Sequence, residues 1–539
     1  MSESWLERLL ERNPYWGPAA LTLFTAVLFM PGLGARDFWA PGEPIYGEVI
    51  RVMYERNDWL VPRLNGQIYA DKPALYFWLA LMISKLAGGV NEWTVRLPAA
   101  LAGLGLVLVT YQFGKTFYDR QTGFLSGLVL ATSSRLFWES RFLRLDTVLS
   151  FFLFLGFYLF LKAFTKKGSD RNYPLAYLCF ALATLTKGPI GLALSGLAIL
   201  GLIAFDGQWR RIREIHLVFG CVVVALVIIP WLGLLHLRGE DQWLRDFIWT
   251  HNIQNYALEP IGHVRPFYYY FINLPPDFLP WTLFVPGALL FYFPWRERLR
   301  NPATLGLVCW FAAIFIFFSL SKSKIAYYLL PLLPSLAILV GCYFRALISG
   351  KERQGINWRL TAGFLYLSIC LFGLAGVVLP VVVYKLERAL FLWAIPAAAI
   401  LAAGAFGMFV FLQRKRLEHV FFCLLAVLFG TTLIASVGIL PHLDSYKSPR
   451  AIGEAVRSRL PADVPVYVFQ STMADFNYYA RREQIPVVAS AEDVRKLSGH
   501  GAHLIISDKD LKQNKLNVGF KIVSEHQVGE KKWYLIELS

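Results

Sequence analysis

The stretch that decides the fold runs from residue 140 to residue 171, SRFLRLDTVLSFFLFLGFYLFLKAFTKKGSDR. Its middle is an apolar run interrupted only near its end by Lys162. Its length is about that of the 20-residue helix needed to cross hydrocarbon. The basic run TKKGSDR closes it, and an excess of lysine and arginine in a short loop marks the cytoplasmic side of a membrane. At the opposite end stand Arg141, Arg144 and Asp146. Two arginines there break the charge rule just where an apolar helix begins, which argues for work at the membrane boundary.

The rest of the chain repeats the pattern. Of its 539 residues 56% are hydrophobic and only 17% charged, whereas a soluble chain carries about 25%. The apolar surplus is concentrated in runs of about 17–25 residues, so the class is a polytopic α-helical membrane protein. A net charge of +16 would fit nucleic acid in a soluble chain. Here much of it sits in short loops between apolar runs, so it reads as topology, and no nucleic-acid partner is expected. Cys179, Cys221, Cys309, Cys342, Cys370 and Cys423 all lie in apolar runs without a CxxC pair. They read as small buried hydrophobes. The N-terminal MSESWLERLLERNPYWG is polar and amphipathic, and no small-residue cleavage site follows the first apolar run. That run reads as an anchor.

Fourteen apolar segments start near residues 14, 74, 96, 121, 146, 171, 189, 215, 278, 304, 325, 358, 390 and 418. The basic loops TKKGSDR, DGQWRRIRE, PWRERLR, ISGKERQ and QRKRLEH are separated by two segments each, so all five can be cytoplasmic. Working backward from them puts residue 95 outside. The segment PALYFWLALMISKLAGG, interrupted by Lys85, then lies at the interface instead of crossing. About 13 transmembrane helices are expected. The organisation is a cytoplasmic N-terminus (1–13), a membrane domain (14–440) and an outer C-terminal domain (441–539). The first outer loop is 35–95 and a long outer loop is 236–277. Fourteen crossings with a cytoplasmic tail is the alternative. Alternating helix and strand patterns in the tail predict a small α/β domain without a glycine-rich phosphate loop.

This topology collects Glu43, Asp71, Lys72, Arg141, Arg144, Asp146, Lys187, His251, His263, Arg265, Lys322, Lys324 and Tyr328 at one membrane boundary. Bland readings exist for several. Lys187 at a span end suits snorkelling as well as function. The two histidines suit structural roles, Asp71 suits a helix cap, and the rings of RPFYYYF suit an interface belt. The set as a whole suits one chemistry. Carboxylates orient or deprotonate a nucleophile. Lysine and arginine stabilise a departing phosphate. Apolar spans beneath hold a lipid tail. A channel does not need this mixture, and a transporter would carry more polar residues at mid-span depth.

The motifs APGEPIYGE, NGQIYADKPALYFWL, EWTVRLPAA, SRFLRLD, LTKGP and SKSKIAYYLLPLLP, in that order, resemble membrane glycosyltransferases that use polyprenyl-phosphate sugars. This is the C-type fold of the protein O-mannosyltransferase and aminoarabinose lipid A transferase group, and the likeness is strongest to the aminoarabinose branch. It covers about residues 14–440. The resemblance implies thirteen spans, interface helices in the first outer loop and an outer C-terminal domain. It implies transfer of a sugar, with inversion, from a polyprenyl-phosphate donor to an envelope glycolipid such as lipid A. The enzyme would be a monomer among the lipids of the bacterial inner membrane, with its active site and C-terminus periplasmic.

On this pattern Asp146 and Glu43 are the catalytic candidates. Gly42 stands where the family carries an acid and Ile45 where it carries an arginine. Lys72, Arg141, Arg144, Lys322, Lys324 and Tyr328 are expected at the donor phosphate, and Tyr46, Asp71, His251 and His263 in the acceptor or sugar pocket. Glu48 and Glu55 are expected to face water on an interface helix. No cofactor is required, although a divalent cation at Asp146 is an option. A protein acceptor stays open, and Gly42 keeps open an inactive lipid-sugar binding or transport protein.

Overall fold

A computed structural model describes residues 5–207, 209–247, 264–292, 295–350, 355–470, 474–498, 501–513, 518–528 and 531–539. The chain divides into two compact units. One comprises Met1–Pro31, Asp71–Leu75 and Pro98–Ser436, the other Gly32–Ala70, Tyr76–Leu97 and Val437–Ser539.

The expected count of about thirteen membrane-spanning helices is not what the fold contains. Among the described residues eight helices are long and apolar enough to cross. They are Glu92–Phe117, Leu145–Phe164, Leu217–Leu237, Pro302–Leu320, Ala326–Ile348, Ile356–Leu386, Arg388–Gln413 and Leu417–His442. The segments starting near 14, 121, 171, 189 and 278 form shorter elements. Trp16–Phe29 has 14 residues, Arg120–Ala131 has 12, Asn172–Lys187 has 16 and Ile190–Asp206 has 17. The last segment is a 3-10 turn, Trp281–Phe284, leading into a seven-residue helix, Val285–Phe291.

The causes are local. Asp119 caps Arg120–Ala131 by accepting the Thr122 N–H, which fixes where that helix starts. Gly188 at φ 88° ends Asn172–Lys187, and Pro189 precedes the next helix. At 1.5 Å per residue a 12-residue helix reaches about 18 Å, against a hydrocarbon thickness of about 30 Å. The alternation of loop sides therefore loses its thirteen-span count, and the gathering of the site is carried by distances instead.

In the first unit, Leu145–Phe164 starts after Arg144 in extended conformation, with Asp146 in its first turn, where a negative charge complements the helix dipole. Phe157 packs on Trp310 with ring centroids 4.5 Å apart. Ile356–Leu386 and Leu217–Leu237 are apolar, yet only 6% and 11% of their most apolar windows are buried. Apolar helices left uncovered in this way suit contact with lipid.

The second unit carries a mixed five-stranded sheet of order β4-β3-β5-β7-β6. Its strands are β3 (Val466–Phe469), β4 (Val487–Val488), β5 (His503–Ser507), β6 (Phe520–Val528) and β7 (Lys531–Leu538). β3 pairs in parallel with β4 and β5, and β7 is antiparallel to β5 and β6. Ile452, Val468, Ile505 and Leu535 form one apolar cluster, while Phe469, Leu504, Ile506 and Ile536 form a second. Alternate residues of β5 thus feed different clusters, as strand geometry requires. The same unit holds a small hairpin, β1 (Arg63–Leu64) with β2 (Gln67–Ile68), and the helix Glu43–Glu55. That helix does not expose Glu48 to water. Glu48 is fully buried and bonded to Arg51 at 2.6 and 2.8 Å, because positions three apart share a helix face. Glu55 stays half exposed.

Candidate active site

The first unit gathers charges that are far apart in the chain. Lys187 ends one helix and Asp146 begins another, and Lys187 Nζ lies 2.5 Å from Asp146 Oδ1. The pair is largely buried. Lys187 Nζ also sits 4.2 Å from the Tyr328 ring centroid and 5.5 Å from that of Tyr327. Arg144 stands 4.8 Å from the Tyr327 centroid. Lys72 pairs with Asp71 at 2.8 Å and interacts electrostatically with Tyr328 and Tyr327. Burial alone would pull the Lys72 ammonium down, but Asp71 outweighs it and holds the pKa above the ordinary value. The result is a cluster of Lys72, Arg144 and Lys187 around two tyrosines, with Asp146 among them. Such a constellation offers an anion three cations and leaves one carboxylate to orient a nucleophile.

Other expected phosphate ligands lie elsewhere. Arg141 is buried and donates from Nη1 to the carbonyl oxygens of Phe29, at 2.7 Å, and Leu28. It neutralises the C-terminal end of the helix Trp16–Phe29. Lys324 is buried, with its ammonium donating to the carbonyls of Ser321 and Arg265. Burial lowers its pKa. The Lys322 side chain is exposed, and its backbone carbonyl accepts the Arg265 N–H. His251 and His263 fall outside the described residues. Among the described residues no three His, Cys, Asp or Glu side chains gather to hold a metal ion.

The second unit has its own polar centre around Glu43, which is 1% exposed. Arg36 donates to both carboxylate oxygens at 2.7 and 3.1 Å, and Arg96 does so at 2.9 and 3.0 Å. The Trp39 N–H adds a bond of 3.1 Å. Burial would raise the Glu43 pKa, yet the two guanidinium groups win and hold it at about 2. Gly42 precedes it at φ 113°, a conformation that glycine tolerates and side chains resist. Burial pushes the Asp475 carboxyl up to about 6, against the opposing pull of the Gly42 N–H. Tyr46 packs edge-on against Tyr69 and tilted against Phe77.

Tyr327 and Glu139 were not singled out in the sequence. The signal for Tyr327 is its place beside Tyr328 in SKSKIAYYLLP, and for Glu139 its place between Arg135 and Arg144. A cavity of about 460 Å³ is lined by Tyr118, Tyr292, Arg298 and Arg345 among others, and none of these site residues lines it.

The dolichyl-phosphate-mannose-protein mannosyltransferase family matches residues 71–233. An undecaprenyl phosphate-alpha-4-amino-4-deoxy-L-arabinose arabinosyl transferase of Aeromonas hydrophila is 30% identical over 415 residues, 74% of this chain and 73% of that protein. The Serratia proteamaculans protein of the same name is 31% identical over 361 residues, 66% of this chain. There the match spans 64% of the relative, less than two thirds of its length. The crystal structure of ArnT from Cupriavidus metallidurans bound to undecaprenyl phosphate is similar with a TM-score of 0.77 at 22% identity. That likeness covers 96% of this chain and 97% of the other, and it shows a common C-type glycosyltransferase fold.

Proposed function

We propose that this chain, which belongs to the undecaprenyl phosphate-alpha-4-amino-4-deoxy-L-arabinose arabinosyl transferase family, moves a sugar from a polyprenyl-phosphate donor to a lipid acceptor. The acceptor in this reading is an envelope glycolipid of the lipid A type, and the reaction takes place at the periplasmic face of the inner membrane. The membrane domain is 14–440, and the segment 441–539 stands on the same periplasmic side. The observation that carries the reading is the cluster of Lys72, Arg144 and Lys187 with Asp146 around Tyr327 and Tyr328.

The donor phosphate sits between Lys72 and Arg144. An acceptor hydroxyl attacks the anomeric carbon from the face opposite the phosphate. The new carbon–oxygen bond forms as the bond to the phosphate oxygen breaks, and the hydroxyl proton passes to Asp146. The phosphate monoester leaves with the bonding pair, stabilised by the cations, and the anomeric configuration inverts. Lys187 orients Asp146 through Oδ1. Among the described residues no hydrogen bond occupies Oδ2, which leaves that oxygen for the acceptor. Glu43, with both oxygens engaged by arginines, serves to hold the first-loop helix in place.

The test is sugar transfer by the purified protein and by Asp146→Ala and Lys72→Ala variants, with products read by mass spectrometry. Both variants should fold, Asp146→Ala without transfer and Lys72→Ala with transfer strongly weakened through donor binding. Transfer at the wild-type rate by both overturns the site.

A further inference from the structure

One buried acid at this site is used neither by the mechanism nor by the resemblance. Glu139 lies near the end of the short helix Ser134–Ser140 and is 2% exposed. Its Oε1 accepts Arg135 at 3.0 Å, and Arg135 also bonds Asp277, the last residue of the helix Tyr269–Asp277. The backbone carbonyl of Glu139 accepts the Thr147 hydroxyl at 3.1 Å, which ties it to the residue after Asp146.

The second oxygen, Oε2, is buried without a hydrogen bond and faces Arg144, whose Nε is 3.9 Å away. Arg135 Nε and Asp277 Oδ2 are buried without hydrogen bonds in the same cluster. A buried carboxylate oxygen that stops just short of a hydrogen bond is unfavourable unless it serves something. Burial raises the Glu139 pKa, against the pull of Arg144 and Arg135. Arg144 is about a quarter exposed and lies over the Tyr327 ring that Lys187 also approaches.

A guanidinium group is planar and carries five donors in a fixed fork, so it can bond two acceptors on different edges at once. We infer that Glu139 is a positioning residue for the donor phosphate: its Oε2 holds the Nε edge of Arg144 while the opposite edge binds the phosphate of the lipid-linked sugar. The inference rests on the proposed function. Arg135 and Asp277 keep Glu139 in place by joining its helix to Tyr269–Asp277.

The experiment measures donor KM and kcat with a polyprenyl-phosphate sugar for wild type, Glu139→Gln, Arg144→Ala, Lys72→Ala and the Glu139→Gln/Arg144→Ala double variant. Glu139→Gln should raise donor KM about tenfold, because it removes the charge that faces Arg144 Nε at 3.9 Å, with kcat within about twofold. The double variant should match Arg144→Ala alone, because Glu139 acts only through that arginine. A structural role would instead add its loss on top of Arg144→Ala, and that outcome overturns the inference. So does an unchanged donor KM in Glu139→Gln. Should Glu139→Gln fail to fold, Glu139→Asp keeps the charge but withdraws the oxygen by one methylene. The same rise in KM is expected, and a wild-type value overturns the inference. If Arg144→Ala and Lys72→Ala both leave donor KM unchanged, the proposed phosphate site fails, which is a different result from failure of Glu139 alone.

Discussion

Replacing Glu43 by glutamine separates a structural centre from a catalytic acid. Arg36 and Arg96, 4% and 0% exposed, both depend on this carboxylate. Removing one partner of a buried ion pair leaves an uncompensated charge and costs about 3–5 kcal/mol. The pKa leads to a similar figure: depression from 4.5 to about 2 corresponds to about 3 kcal/mol of folding stability. An acid with a depressed folded pKa contributes fully above its unfolded pKa. The contribution should therefore be whole above about pH 4.5 and fade as the pH falls toward 2. Thermal and denaturant unfolding of the detergent-solubilised protein, followed by tryptophan fluorescence, reads the effect. Glu43→Gln should lose about 3 kcal/mol at neutral pH. Adding Arg96→Met should restore part of the loss, since it removes a charge left without a partner. A Glu43→Gln variant that unfolds like wild type at neutral pH while sugar transfer disappears would refute a structural role for Glu43.

Three other outcomes follow from named contacts. Asp146→Asn should abolish transfer while the unfolding temperature shifts by only a few degrees, checked by product analysis beside a melting curve. Asp475 carries a pKa raised from 3.8 to about 6, so ionising it opposes folding and stability falls as the pH rises through that window. Asp475→Asn should then be more stable than wild type by up to about 3 kcal/mol at pH 7.5, with the difference vanishing below about pH 4, in paired unfolding curves. Gly42→Asp should destabilise by about 1–3 kcal/mol, because φ 113° is strained for any side chain, and unfolding midpoints report it.

The membrane class was legible because it follows from composition and from where charges interrupt apolar runs. The number of long helices was not. Hydropathy registers the apolar residues around 121–131 and 171–206, but the Asp119 cap and the Gly188 break set the helix lengths. Partnership across the chain was equally hidden. Asp146 and Lys187 are 41 residues apart, and Glu43 and Arg96 are 53 apart. Arg141 stood out as a charge against the topology rule, but only the fold reveals that carbonyls at the end of Trp16–Phe29 absorb it. Lys324 likewise turns to backbone oxygens that no motif announces. Glu48 looked like a solvent-facing acid because the burial of its helix face is set by tertiary packing.

The most direct measurement of the central claim is a product balance. The protein in lipid vesicles receives a polyprenyl-phosphate sugar and a lipid A acceptor, and mass spectrometry follows both lipids while NMR of the product reads the anomeric centre. The acceptor should gain one sugar for each polyprenyl phosphate monoester released, with inverted configuration, and Asp146→Ala should give neither product. Donor that crosses or disappears without a glycosylated lipid, or a product of retained configuration, would contradict it.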